Sequence, residues 1–234
     1  MYDVQYKLHI QRKTMKKNET LSAAEFRKFF REILREDDDK NAFAIDVFKN
    51  RYGRKYKNIF SFSVQKETKA KIEDVIPYYL EGDMQKAALS FAAYLQANKM
   101  PLKWDAWNTW KAHGKKKALC WVKLSLWPVT WVVSPCLTNI DEYEDTVISE
   151  GWQSFVCDNF KRCRPDCHGS CTGNLTGGKT VTILGREIHG ICGEVFYVNN
   201  KKVDFINPDE TAAGRIKKLL ELERTARQNK NAQM

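Results

Sequence analysis

No apolar run in this 234-residue chain approaches the roughly 18–20 residues needed to span a bilayer, so no membrane-spanning helix is expected. Residues 117–137 come closest, but Lys123 and several turn-forming residues divide them into strands. The opening Met1–Lys7 lacks the apolar segment of a signal peptide, and a cytoplasmic location is the simplest expectation. Also missing are a phosphate-binding P-loop, a dinucleotide fingerprint, a nucleophile elbow and a His-Glu-x-x-His helix, which weakens the case for an enzyme. There is no internal repeat and no low-complexity tract. Seven cysteines, an odd number, do not make a disulfide framework, and a reducing compartment disfavours one.

What is present fits a globular protein with one substantial core, or one core with an N-terminal appendage. The order of elements suggests an α+β fold, with a mostly antiparallel sheet packed by helices. Ser22 to Glu25 reads as a capping box before a helix carrying Phe26, Phe29, Phe30 and Leu34. Residues 42–64 read as a β-hairpin, with Ile59–Val64 its second strand. A helical region follows, kinked or divided by Pro77, and then an apolar stripe from Met84 to Leu95. Asn98–Pro101 marks the boundary between an N-terminal α+β portion, 1–97, and a main α+β domain, 98–234, with a cysteine-rich loop at 161–192.

Within the main domain, strands are expected at 107–112, 117–125 and 128–134, joined by short turns as in an antiparallel meander. Residues 141–149 and 151–161 read as helical, and 180–184 and 188–197 as strands. Asn207-Pro208 reads as the start of a last amphipathic helix, asparagine at the N-cap and proline at the first helical position.

Four of the thiols form a pattern. Cys163, Cys167 and Cys171 are each separated by three residues, and Cys192 follows a glycine-rich stretch and a short strand. Thiolates so spaced suit tetrahedral zinc, a loop presenting three sulfurs and a returning strand the fourth. An iron–sulfur cluster also uses four thiolates, and four unrelated reduced thiols are the bland alternative. His168 and His189 rank below the sulfurs as ligands, and Glu187 and Glu194 are general-base candidates by proximity alone. Lys161, Arg162 and Arg164 would partly offset the charge of the site and lower the thiol pKa values. Cys120, Cys136 and Cys157 lie in apolar surroundings and read as core.

Six of the seven tryptophans fall between Trp104 and Trp131. On alternating strands some of these rings must leave the core, so Trp107, Trp110, Trp121 and Trp131 are candidates for ligand binding, against a purely aromatic core. Lys103, Lys111, Lys115, Lys116, Lys117 and Lys123 lie among them, as in sites where rings stack bases and lysines meet phosphates. The net charge of +10 allows an acidic partner, and residues 1–60 hold 15 Lys and Arg against 9 Asp and Glu.

Trp107-Asn-Thr-Trp-Lys111, Leu119–Val122, Val132–Pro135, Asn159 to Cys171, Ile183–Glu187 up to Cys192, and Asn207–Asp209 together resemble an uncharacterised family of small bacterial proteins. The resemblance covers about residues 98–228 and implies the thiol grouping and a single α+β unit, with no activity attached. The leading expectation is a non-enzymatic binding module with a structural thiolate metal site, engaging a small ligand or protein partner through the aromatic-rich sheet. The alternatives are a nucleic-acid-binding protein using its basic N-terminal half, and a metal-dependent or thiol redox enzyme.

Overall fold

A computed structural model describes residues 62–114, 117–126, 128–163, 178–192 and 201–232. The capping box, the first helix and the 42–61 part of the expected hairpin therefore lie outside the described residues. The chain enters at helix α1 (Phe62–Thr68), followed by α2 (Ile72–Tyr79) and α3 (Gly82–Ala97). Strands β1 (Lys103–Ala106), β2 (Thr109–Gly114), β3 (Lys117–Leu126) and β4 (Val129–Pro135) come next. A 3-10 turn (Ile140–Glu142) leads to α4 (Glu144–Ser149) and α5 (Gln153–Cys157), then to β5 (Lys179–Ile183), β6 (Arg186–Ile191), β7 (Phe205–Ile206) and α6 (Glu210–Ala232).

The architecture is α+β. An antiparallel sheet of order β1-β2-β3-β4-β7 is packed by helices, and β5 and β6 form a separate two-stranded ribbon. Side chains alternate across a strand, so the register sorts residues into two faces. One row crosses all five strands on the inner face: Trp104 opposite Trp110, Trp110 opposite Val122, Val122 opposite Val133, and Val133 opposite Phe205. Leu124 opposite Trp131 adds a second inner pair. Apart from Trp104, which packs against it half-buried, these residues share one buried cluster with Val75 and Ile76 of α2, Phe91 and Leu95 of α3, and Ile216 and Leu219 of α6. The helices before Asn98 thus pack into the same core as the sheet that follows it.

Several local expectations are corrected by the structure. Residues 62–64 belong to α1 rather than to a strand, despite their period-two pattern. The helix delivers Gln65, which is fully buried. Its Oε1 accepts from the Asn108 backbone N–H at 2.9 Å and the Trp104 indole N–H at 3.3 Å, while its amide donates to Asn108 Oδ1 at 2.7 Å. Pro77 sits inside α2, and the break comes after Tyr79. Strand β2 starts at Thr109, because Asn108 adopts a left-handed φ of 52° in the turn that Trp107 opens. Only Gln153–Cys157 of the expected 151–161 helix is helical; after a turn at Asp158 and Asn159 the chain is extended, with Phe160 bridging Val203 and Arg162 bridging Ile191.

The last helix is capped by Asp209, not Asn207. Asp209 Oδ1 accepts from the Ala212 amide at 2.7 Å, as an N-cap does. Asn207 is committed to the sheet instead. Its N–H donates to the Trp131 carbonyl at 2.8 Å and its Oδ1 accepts from the Trp131 N–H at 2.9 Å, with φ at 48°.

Glu223 lies on the apolar stripe of α6 and is fully buried. Its carboxylate accepts from the Asn139 N–H at 3.0 Å, the Asn139 amide at 2.9 Å, the Tyr143 hydroxyl at 2.9 Å and Arg227 Nε at 2.7 Å. Arg227 in turn donates to the carbonyls of Ala118 and Cys136, at 2.9 and 3.0 Å. Removing one partner of such a pair strands the others, which costs about 3–5 kcal/mol. Glu223→Ala is therefore expected to lower unfolding stability by that amount in urea titrations, and a loss below about 1 kcal/mol would mean the network is not structural.

Candidate functional site

The other face of the sheet is read from the same register. Its first row is Lys103 opposite Lys111, Lys111 opposite Trp121, and Trp121 opposite Ser134. Its second is Thr109 opposite Lys123, Lys123 opposite Val132, and Val132 opposite Ile206. Trp121, Val132 and Ile206 do not belong to the buried cluster, and Ile206 is 63% exposed. Cys136 bridges Lys202 in the register of β7, so Lys202, Asp204 and Ile206 share this outer face while Val203 and Phe205 point inward. Continuing the Phe160–Val203 bridge by one residue sets Lys161 opposite Lys202.

Trp121 is the centre of this face. Its indole N–H donates to Asp105 Oδ2 at 3.3 Å, and the other oxygen of Asp105 holds Lys111 Nζ at 2.7 Å. The ammonium groups of Lys202 and Lys111 lie 4.5 and 5.4 Å from the ring centroid, within cation–π range. Partial burial pushes the Lys202 ammonium below its ordinary value, helped by the charges of Lys123 and Lys161 and opposed by Asp204. Asp204 is itself engaged, accepting from the Ser134 hydroxyl at 2.5 Å. Five lysines (Lys103, Lys111, Lys123, Lys161 and Lys202) thus share the face with Asp105 and Asp204.

The four tryptophans singled out in the sequence separate cleanly. Trp110 and Trp131 are fully buried. Trp110 donates to the Ala70 carbonyl at 2.7 Å, and Trp131 meets Phe91 edge-on at 6.0 Å. They are core residues, each ring burying about 150–250 Å². Trp107 is half-buried in the β1–β2 turn, and Trp121 alone of the four projects from a strand onto the outer face. Lys115, Lys116 and Trp127 lie outside the described residues.

At the far end of the sheet the extended segment after α5 joins the β5–β6 ribbon. Cys163 N–H donates to the Gly190 carbonyl at 2.7 Å and Cys192 N–H to the Lys161 carbonyl at 3.0 Å, on either side of the Arg162–Ile191 bridge. Cys163 and Cys192 are therefore diagonal neighbours on one face of an antiparallel pair, a relation that sets such positions about 7–8 Å apart. Glycine makes the junction possible. Gly190 has a φ of 71° where β6 carries an extra residue, and Gly178 has a φ of 81°. A Cβ on Gly178 would stand 2.6 Å from the Gly190 carbonyl carbon.

Cys167, Cys171, His168 and Glu194 lie outside the described residues. Among the described residues no group of three or more His, Cys, Asp or Glu side chains is arranged to hold a metal ion. His189 is turned to other partners: its Nδ1 is 3.0 Å from the Thr180 hydroxyl and its Nε2 3.1 Å from a Glu187 oxygen. No described helix is long and apolar enough to cross a membrane. Comparison with known proteins finds no matching family model, no matching curated protein and no matching solved structure.

The sequence reading missed Lys202, Asp204 and Asp105. A signal for the first two was present in the alternation Lys202-Val-Asp-Phe-Ile206, obscured by the loop-like Asn199-Asn-Lys201 before it. Asp105 carried no signal of its own; it lies at the bulge between Trp104 and Ala106, on the parity of Lys103.

The three thiols read as core are all buried, Cys120 and Cys157 within the cluster behind the sheet and Cys136 on the other parity, opposite Lys202. Burial pushes the Cys120 thiol up to about 12 and the Cys136 thiol up to about 11. Burial raises Cys157 as well. Below the ordinary thiol value of 9.0, folded and unfolded chains both hold these protons; above it the unfolded chain releases them first. The contribution to stability is thus full below about pH 9 and is lost as pH rises toward 11–12. Alkylation of native protein at neutral pH, followed by peptide mapping, is expected to leave Cys120, Cys136 and Cys157 unmodified. Stability of Cys120→Ala should fall less steeply above pH 9 than that of the parent.

Proposed function

We propose that the chain is a non-enzymatic binding module whose ligand or partner docks on the outer face of the sheet, centred on Trp121. The observation that carries this reading is an indole fixed at its N–H by Asp105 and flanked by two ammonium groups, outside the buried cluster. A ring needed only for packing gains most from burial, as Trp110 and Trp131 do. Trp121 instead offers an amphipathic surface among cations, the combination common at binding sites. The three core thiols are buried and protonated, which leaves them unsuited to nucleophilic chemistry.

The ligand class expected on this face is anionic. Thermal-shift screening of mononucleotides, sugar phosphates, dicarboxylates and acidic peptides is expected to find compounds that stabilise the parent but not Trp121→Ala. A panel that shifts both proteins equally, or neither, would count against the outer face as the site.

The same proposal includes a structural metal site of Cys163, Cys167, Cys171 and Cys192, with zinc preferred and an iron–sulfur cluster as the alternative. Its support is the diagonal placement of Cys163 and Cys192 on one face of the ribbon, which brings together thiols 29 positions apart in the sequence. A closed set of four thiolates leaves no position for substrate, so its chemistry is that of a staple. Elemental analysis is expected to give about one zinc per chain, lost in Cys167→Ser together with stability. A visible absorption band in fresh protein would replace zinc with iron–sulfur.

A further inference from the structure

We infer that the occupant of the outer face is a single-stranded nucleic acid, its phosphates met by Lys103, Lys111, Lys123, Lys161 and Lys202 and a base stacked on Trp121. This rests on the outer-face reading and names the class of partner.

The geometry favours an extended polyanion over a compact anion. Lys103 lies on edge strand β1, and Lys161 lies beyond β7 at the opposite edge. At about 4.8 Å per strand, the five spacings between them span about 24 Å. A single phosphate or carboxylate would engage one or two of these ammonium groups and leave the rest facing one another. A chain of phosphates tracking across the strands meets them in succession, which is how open sheet faces with aromatic platforms hold single strands. Among the described residues Asp105 and Asp204 are the carboxylates on this face, and each is already engaged, with Lys111 and with Ser134.

Charge also disfavours the chain's own N-terminal segment as the cover for this face. Residues 1–60 hold 15 Lys and Arg against 9 Asp and Glu, so they add positive charge instead of neutralising it. A nucleic acid supplies the missing sign.

Trp121 gives the face its preference for unpaired bases. With Lys202 and Lys111 over the ring, a phosphate that draws either ammonium aside opens a ring face to a base. Stacking of this kind is tolerant of sequence and needs an unpaired base, so a duplex of equal length is the weaker ligand.

The test is fluorescence anisotropy of labelled oligouridylate and oligothymidylate of about twelve nucleotides, and a duplex of the same length, across a salt series. Trp121→Ala is expected to weaken single-strand binding about tenfold or more, and Trp121→Phe to retain most of it. Lys123→Gln and Lys202→Gln are each expected to lower the slope of log K against log salt by about 0.7. The exposed Lys123 side chain makes Lys123→Gln a variant that keeps the fold, so the test stands if Trp121→Ala destabilises the protein. Binding that is unchanged in all of these variants would overturn the inference and assign it to the basic residues before 61. Equal affinity for duplex would overturn the stacking role. Failure of both oligonucleotides, with a mononucleotide still stabilising the parent and not Trp121→Ala, would overturn the nucleic-acid assignment and leave the outer-face reading standing.

Discussion

The carboxylate of Glu223 fixes the position of the last helix against everything it covers. Four donors converge on it, three from the Asn139–Tyr143 turn and one from Arg227 of the helix itself, and Arg227 also reaches the carbonyls of Ala118 and Cys136 at the ends of two strands. A buried charge is expensive unless its hydrogen-bonding capacity is met, so this group tolerates little displacement of α6. Apolar contact through Ile216, Leu219 and Leu220 supplies most of the burial but is indifferent to small slides along the helix axis. The directional contacts at Glu223 remove that freedom. With α6 set, α3 is set too, since Tyr94 and Ser90 bond across to Glu221 and Glu210. The inner face of the sheet is thereby sealed, and exposure falls on the other side.

That division gives the sheet two chemistries from one register. The inner row is Trp, Trp, Val, Val and Phe across five strands; the outer row one residue along is Lys, Lys, Trp and Ser across four. Three tryptophans facing two ways in this meander need no special explanation beyond the period-two alternation. What distinguishes Trp121 from Trp110 is its parity in the strand. A slip of one residue in β3 would bury Lys123 and expose Val122, so the apolar row enforces the position of every outer lysine. The outer face is held by the core behind it.

The meander β2–β4, the stripe of α3 and the core thiols were legible because each rests on local periodicity. The alternation of Cys120, Val122 and Leu124 and the spacing of Ala87, Ala88, Phe91, Ala92 and Leu95 each report one buried face, although Leu119 is buried on the opposite parity. Legibility failed where a side chain was committed to a distant backbone. Asn207 reads as a helix cap, yet it pairs with Trp131 across 76 positions, leaving Asp209 to cap the helix. Phe62–Val64 alternate like a strand, but the segment docks as a helix so that Gln65 can satisfy Asn108 and Trp104. Which tryptophan would face outward was equally hidden, because alternation gives only their relative parity, and the buried cluster with α3 and α6 decides which face is covered. Glu223 was hidden in a different way: on a helical wheel it is a polar interruption of the apolar stripe, and only its partners explain it.

Lys161 ties the two halves of the functional proposal together. One residue before it, Phe160 pairs with Val203 at the edge of the main sheet; one residue after it, Arg162 pairs with Ile191 of the ribbon. The backbone from 159 to 163 is therefore a strut between the lysine face and the thiols, with Lys161 opposite Lys202 in one pairing and opposite Cys192 in the other. On the proposed reading, a four-thiolate centre carries a formal charge near minus two, which Lys161 and Arg162 partly offset. Losing the metal would leave the ribbon end of the strut to the backbone pairing alone, and with it the flank of the outer face that Lys161 supplies. A staple of that kind would have no substrate of its own, but it would hold one edge of the proposed binding face in register with the sheet.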